Sequence, residues 1–189
     1  MWNLPNILTL IRILMIPIFV VVFYLPWEGK HFAAAVIFAI AAMTDWLDGY
    51  LARKLNQFTP FGAFLDPVAD KLIVSAALLV LLQVHATAVF ALPALVIVSR
   101  EIVVSALREW MAELGQRTSV AVSYLGKVKT VLQMVAITVL LAVDPEKYPE
   151  WDVVGIVLLY VAALLTLWTM IIYLRAAWPE LSSKPGSRD

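Results

Sequence analysis

Residues 45–71, DWLDGYLARKLNQFTPFGAFLDPVADK, contain four aspartates, two glycines, one arginine and two lysines. The residues on either side, 32–43 and 72–82, are almost wholly apolar. Charged side chains are costly at the depth of a membrane, so those found there usually serve a function. The aspartates therefore point to a site built where two hydrophobic segments end.

The composition of the chain indicates a membrane protein. Of the 189 residues, 62% are hydrophobic and only 15% are charged, whereas about a quarter of the residues in soluble domains are charged. The mean hydropathy is +0.88, and long apolar runs recur along the whole length, as expected of a polytopic protein. We expect one catalytic membrane domain over residues 1–178 and a polar C-terminal tail over 179–189.

Six apolar segments, each about 20 residues long, are suited to cross a bilayer as α-helices. They cover residues 7–25, 32–50, 63–82, 87–106, 121–143 and 153–174. The first has no basic leader and no small-residue cleavage site, so we interpret it as a retained span. The predicted fold is an all-α integral membrane protein with six transmembrane helices.

The basic residues predict the orientation of these helices. Of the 14 lysines and arginines, only Lys30 and Lys147 fall on one side of the predicted spans, and all others fall on the opposite side. Basic residues are enriched in cytoplasmic loops. Both termini and the aspartate stretch are therefore predicted to be cytoplasmic.

Helical periodicity brings the aspartates of this stretch onto two surfaces that can face each other. The second span has one face with the spacing i, i+3, i+4, i+7, formed by Asp45, Asp48, Gly49 and Ala52. The third span has one face with the spacing i, i+4, i+8, formed by Gly62, Asp66 and Asp70. The two spans are antiparallel neighbours, so their carboxylates can converge on one pocket.

Four converging carboxylates require counter-charge. Two carboxylates about 5 Å apart repel by roughly 3 kcal/mol at an effective dielectric constant near 20. The chain has no cysteine and only two histidines, so a metal held here must be a hard cation with oxygen ligands. We predict Mg²⁺ or Mn²⁺, and four carboxylates are enough to hold two ions.

The spacing of these residues also carries a resemblance. The pattern Asp45-x2-Asp48-Gly49-x2-Ala52-Arg53-x8-Gly62-x3-Asp66-x3-Asp70 is similar in full to the signature of the CDP-alcohol phosphotransferases. These are integral membrane enzymes that move a substituted phosphate from a CDP-alcohol to another alcohol. Three further segments, PNILTLIR (5–12), SREIVVSALREWMAELG (99–115) and GKVKTVLQM (126–134), resemble the bacterial members of this family that act on glycerol 3-phosphate.

The resemblance implies an activity and a location. The enzyme would transfer the phosphatidyl group from CDP-diacylglycerol to glycerol 3-phosphate, giving phosphatidylglycerophosphate and CMP. It would be a homodimer among the lipids of the bacterial inner membrane, with its active site at the cytoplasmic face, and it would depend on a divalent metal. We expect no nucleic-acid partner.

The resemblance also implies roles for individual residues. Asp45, Asp48 and Asp66 would bind the metal ions, and Asp70 would be both a further ligand and the general base. The CDP-diacylglycerol site would be lined by small or basic residues of the signature, namely Gly49, Ala52, Arg53 and Gly62. Asn6, Thr9 and Arg12 follow one side of the first span; they are candidates for contact with the nucleotide, although helix packing would also explain them.

An acceptor that carries a phosphate needs basic side chains near the aspartates. The candidates are Arg100, Arg108, Lys127 and Lys129, although basic residues at span ends also bind anionic lipid head groups. Glu101 is expected only to pair with these bases. Lys127 and Lys129 are about 200° apart on a helix, so only one of them is expected to face the pocket, and the sequence leaves open which.

Two alternative functions remain open from the sequence. One is an enzyme of the same family with another acceptor, such as phosphatidylglycerol, serine or inositol phosphate. The other is an ion-coupled transporter, although transporters usually place their acidic residues near the membrane midplane and are built from repeats. The aspartates of this chain lie at one end of the spans, and no repeat is visible.

Overall fold

The computed structural model describes residues 3–55, 59–113 and 124–182, and all regular structure within these ranges is helical. Within these ranges, six helices follow one another: α1 Leu4–Tyr24, α2 Lys30–Leu55, α3 Pro60–His85, α4 Ala88–Glu113, α5 Tyr124–Ala142 and α6 Pro149–Ser182. Each corresponds to one predicted span. Helices α2, α4 and α6 continue well beyond those spans at the end where the aspartates lie, and α6 extends into the predicted tail.

Four of these helices are long and apolar enough to cross a membrane. The qualifying segments are Leu4–Tyr24, Pro60–His85, Ala88–Glu113 and Pro149–Arg175. The apolar part of α5, Val128–Ala142, is shorter, and the second half of α2 carries the polar residues 45–55. The membrane class is thus supported by four helices, whereas the number of six spans stays a prediction.

The hydrophobic core runs through the middle of the helix bundle. It contains fully buried aromatic and aliphatic side chains from all six described helices, among them Phe19, Phe38, Leu78, Phe90, Ile137 and Leu159. Other large apolar side chains point outward, such as Leu14 on α1, which is 64% exposed, and Leu79 on α3, which is 65% exposed. An apolar exterior around a packed interior is what a lipid environment permits.

The start of α3 is fixed by local chemistry and by a contact with α1. The hydroxyl of Thr59 accepts a hydrogen bond from the Gly62 amide at 3.0 Å, and Pro60 occupies the first turn; both features favour a helix N-terminus. Asn6 of α1 donates to the same hydroxyl at 3.0 Å. The helix therefore begins at Pro60, three residues before the predicted start, because Pro60 and Gly62 belong to its first turn.

Gly62 allows α1 and α3 to approach closely at this point. A Cβ atom at position 62 would lie 2.5 Å from Asn6 Oδ1 and 3.2 Å from Thr59 Oγ1. Gly62 is buried. Packing between helices therefore accounts for this glycine in the structure, and its predicted nucleotide contact stays a prediction.

Gly62→Ala should lower the midpoint of thermal unfolding in detergent, because the new methyl group overlaps Asn6 and disturbs the cap of α3. Overpacking of this kind costs about 1–3 kcal/mol. Ala63→Ser, a change of similar size at the next, exposed position of α3, is the matched control and should unfold like the wild type. An unchanged midpoint for Gly62→Ala would show that α1 and α3 are not tightly packed here.

Candidate active site

A cavity of about 380 Å³ lies among the helices at the end of the bundle that carries the aspartates. Its acidic side is formed by Asp45 of α2 and by Asp66 and Asp70 of α3. Its basic side is formed by residues of α4 and α5, namely Arg100, Arg108 and Lys129. Six of the residues predicted from the sequence thus border one space.

A fully buried arginine holds two of the carboxylates. The Arg12 side chain is 0% exposed, and its Nη1 atom lies 3.0 Å from Asp45 Oδ1 and 2.5 Å from Asp70 Oδ1. The two aspartate side chains are 42% and 41% exposed, on the side of the cavity. Because a buried guanidinium needs paired acceptors, Arg12 fixes the positions of carboxylates from two different helices.

The same face of α1 also contacts the third carboxylate. Thr9 is fully buried, and its hydroxyl donates to Asp66 Oδ1 at 2.6 Å. Asn6, Thr9 and Arg12 follow one another at intervals of three residues along α1, so they lie on nearly one face. Neither Asn6 nor Thr9 is among the residues that border the cavity. The structure therefore places them against α3, and their predicted nucleotide contact stays a prediction.

The basic side of the cavity is organised by one glutamate. Glu101 Oε1 accepts hydrogen bonds from Arg100 Nη1 at 2.8 Å and from Lys129 Nζ at 3.0 Å. Arg100 and Lys129 are 5% and 4% exposed, respectively. Glu101 neutralises one positive charge and holds the two cations together, which leaves an excess of positive charge toward the cavity.

Tyr173 of α6 supports the two arginines of α4. The guanidinium carbons of Arg100 and Arg108 lie 5.9 Å and 5.4 Å from the centre of its ring, within the range of cation–π attraction. Arg108 Nη2 also donates to the Tyr173 hydroxyl at 3.4 Å. Arg108 is exposed, so it forms the part of the basic side nearest the solvent.

Several predicted residues are not tested by this geometry. The backbones of Asp48, Gly49, Ala52, Arg53 and Lys127 belong to α2 and α5, but their side chains lie outside the part of the chain that the structure describes. Lys129 borders the cavity, as predicted for one of the two lysines. A contact of Lys127 with the cavity stays a prediction.

The metal prediction fits the chemistry of the described residues. In the described part of the chain, no three Asp, Glu or His side chains converge closely enough to hold an ion as they stand. The three described aspartates nevertheless present carboxylate oxygens to one cavity, and such oxygens are the ligands that Mg²⁺ and Mn²⁺ prefer. Their role as metal ligands stays a prediction.

Three residues of the site were given no definite role from the sequence. Arg12 was only a possible nucleotide contact, Glu101 only a partner for nearby bases, and Gln133 had no role at all. Each is a polar residue inside an apolar run, and such residues commonly face the interior of a membrane protein. That signal could have marked all three.

Replacing Arg12 should destabilise the protein, because Arg12 is buried and paired with Asp45 and Asp70. Arg12→Met removes both ion pairs and should destabilise the protein by about 1–3 kcal/mol, the usual cost of unpairing buried polar groups, whereas Arg12→Lys should lose less because the charge remains. The measurement is thermal unfolding in detergent.

A double-mutant cycle with Asp45→Asn separates this pairing from general packing. The effects of Arg12→Met and Asp45→Asn should be strongly non-additive, because the two side chains share one interaction. Lys71→Met, which removes a positive charge elsewhere at the cavity, should combine additively with Asp45→Asn. Additive effects in both cycles would contradict the bridging role of Arg12.

Known proteins are similar to this chain over almost its whole length. A profile of the CDP-alcohol phosphatidyltransferase family matches residues 2–168. A CDP-diacylglycerol–glycerol-3-phosphate 3-phosphatidyltransferase of Pseudomonas fluorescens is 55% identical over 182 residues, which cover 96% of this chain and 93% of the relative.

Two further relatives carry the same name. The protein of Escherichia coli strain K12 is 55% identical over 180 residues, covering 95% of this chain and 97% of the relative. The protein of Shigella flexneri serotype 5b is 56% identical over the same length and with the same coverage. The similarity therefore extends over nearly the whole of each chain.

Proposed function

This chain belongs to the CDP-alcohol phosphatidyltransferase family, and we propose that it transfers the phosphatidyl group of CDP-diacylglycerol to glycerol 3-phosphate with release of CMP. The names of relatives that are 55% and 56% identical over almost the full length support this activity. They favour a transferase of phospholipid biosynthesis over an ion-coupled transporter.

One structural observation carries the proposal, namely that carboxylates and buried cations face each other across a single cavity. The reaction has to bring two anionic groups together, the diphosphate of the donor and the phosphate of the acceptor. Arg100, Arg108 and Lys129 provide three positive charges against the one negative charge of Glu101. A basic side of this kind suits an acceptor with a phosphate, whereas serine would not need it.

The acidic side is suited to the donor. We infer that Asp45, Asp48, Asp66 and Asp70 hold Mg²⁺ or Mn²⁺, with room for two ions. When bound, such ions neutralise the negative charge of the diphosphate and polarise the phosphorus. Gly49, Ala52 and Arg53 continue along α2 beside these aspartates and are proposed to contact the cytidine diphosphate, with Gly62, Asn6 and Thr9 on the neighbouring helices.

Asp70 is proposed as the general base. Its carboxylate borders the cavity together with Lys129 and Arg100, so an acceptor phosphate held by the two cations would present its hydroxyl on the side of Asp70. Asp70 removes the hydroxyl proton, the oxygen forms a bond to the phosphorus that carries diacylglycerol, and the bond from that phosphorus to CMP breaks. Arg12 positions Asp70, and Thr9 positions Asp66. Positioning of the two substrates accounts for much of the remaining rate.

The orientation in the membrane follows from the distribution of charge. Four helices are apolar and long enough to span, and we propose that α2 and α5 cross as well, which gives six spans with both termini in the cytoplasm. The site then opens at the cytoplasmic face of the bacterial inner membrane, among lipids that include the donor. We further propose a homodimer, as the family resemblance implies.

Purified protein incubated with CDP-diacylglycerol and Mg²⁺ should release CMP faster with glycerol 3-phosphate as the acceptor than with any other acceptor. The physical reason is the buried cation pair of Arg100 and Lys129, which favours an acceptor that carries a phosphate. The comparison panel is phosphatidylglycerol, serine and inositol phosphate, and a parallel reaction in excess chelator should release no CMP.

Two outcomes would contradict different parts of the proposal. Faster CMP release with another member of the panel would overturn the acceptor while leaving the family intact. Full activity in the presence of excess chelator would overturn the role assigned to the aspartates.

Asp70→Asn should lose about 10²–10⁴-fold in turnover, the usual contribution of a general base, while it keeps metal-dependent binding of CDP-diacylglycerol. Asp66→Asn, one helical turn away, is the matched variant and should lose binding as well as turnover. Calorimetric titration of CDP-diacylglycerol in detergent, run beside the turnover assay, distinguishes them. Equal loss of binding in both variants would make Asp70 mainly a ligand.

A further inference from the structure

Gln133 is a buried polar residue that borders the cavity and has no role in the proposed reaction. It lies on α5 one helical turn beyond Lys129 and borders the same cavity as Asp70 and Arg100. Its side chain is 3% exposed, and its Oε1 atom has no hydrogen-bond partner among the residues that the structure describes. A buried amide oxygen without a hydrogen-bond partner is uncommon in proteins and calls for an explanation.

The surroundings of Gln133 limit what could satisfy its amide. Val74 and Met134, which also border the cavity, are apolar and offer no hydrogen bond from their side chains. The cations Arg100 and Lys129 donate to Glu101 at 2.8 Å and 3.0 Å, and neither donates to Gln133 Oε1. Because Gln133 borders the cavity, a ligand bound there would be able to supply the missing partner.

The acceptor carries one group that the mechanism does not use. Glycerol 3-phosphate has a phosphate at one end, a primary hydroxyl at the other and a secondary hydroxyl between them. With the phosphate on Arg100 and Lys129 and the primary hydroxyl toward Asp70, the secondary hydroxyl remains inside the cavity without an assigned partner. A carboxamide both donates and accepts hydrogen bonds, so it can bind a hydroxyl in either rotamer of the amide.

We infer that the Gln133 carboxamide binds the secondary hydroxyl of the acceptor and thereby selects glycerol phosphate over phosphates that lack this hydroxyl. The inference rests on the proposed function and adds a residue that determines specificity. A site built around a hydroxyl rejects the analogue without it, because the polar group of the protein is then left unpaired.

The test compares two acceptors that differ by this single hydroxyl, glycerol 3-phosphate and 3-hydroxypropyl phosphate. In the wild type, kcat/KM should favour glycerol 3-phosphate by about 10–100-fold, the range expected for one buried hydrogen bond. In Gln133→Met, which keeps the length of the side chain without its amide, the ratio should fall close to one. The fall should come from slower use of glycerol 3-phosphate, with use of the analogue little changed.

Thr138→Val is the matched control. Thr138 lies on the same helix and is not among the residues that border the cavity, and its hydroxyl donates to the Met134 carbonyl at 2.8 Å. This variant also loses a polar atom from α5, but it should keep both the activity and the acceptor ratio of the wild type.

The outcomes separate this inference from the proposed function. A wild type that releases CMP equally fast with both acceptors overturns the inference alone, whether or not the variant folds. An active Gln133→Met that keeps the wild-type ratio also overturns it. A wild type that releases no CMP with either acceptor, but does so with another alcohol, overturns the proposed acceptor and the inference with it.

Discussion

Three carboxylates on two neighbouring helices face one cavity, and a buried arginine from a third helix lies against two of them. Arg12 is in contact with Asp45 and Asp70, and Thr9 on the same face of α1 donates to Asp66. Without these contacts, the repulsion between the carboxylates would favour separation of α2 and α3. The polar face of α1 therefore decides how closely the acidic residues approach, and the geometry of the site depends on it.

On the basic side of the cavity, it is positive charges that lie close together. Arg100 and Lys129 are nearly completely buried, and two buried cations side by side would repel each other. Glu101 lies between them and accepts a hydrogen bond from each. The negative charge of Glu101 reduces the repulsion between the two buried cations, and the positive charge that remains can attract an anion. The cavity is thus polarised, with acidic groups on α2 and α3 and basic groups on α4 and α5. Under the proposed function, metal ions on the acidic side would allow two anionic substrates to bind without competing for the same side.

The apolar part of the protein allows this polar site to exist. Side chains from all six described helices form a common core, which adjoins the cavity at Val74. Close approach of α1 and α3 at Gly62 brings the polar face of α1 within hydrogen-bond distance of α3. Packing and catalysis are therefore linked at this contact, since a change that separates the two helices also moves Thr9 and Arg12 away from the aspartates.

The sequence by itself determined the six described helices and the end of the bundle that carries the aspartates, because helical periodicity depends only on local order. The spacing of the aspartate signature also carried the resemblance to the family. It placed Asp66 and Asp70 on one face of α3 and identified Arg100 and Arg108 as basic candidates. It could not show that Arg12 contacts the aspartates, that Lys129 borders the cavity, or that Glu101 joins two cations. Those contacts depend on how each helix is rotated about its axis and which neighbour it packs against, and that rotation is decided by the fit of side chains from distant parts of the chain.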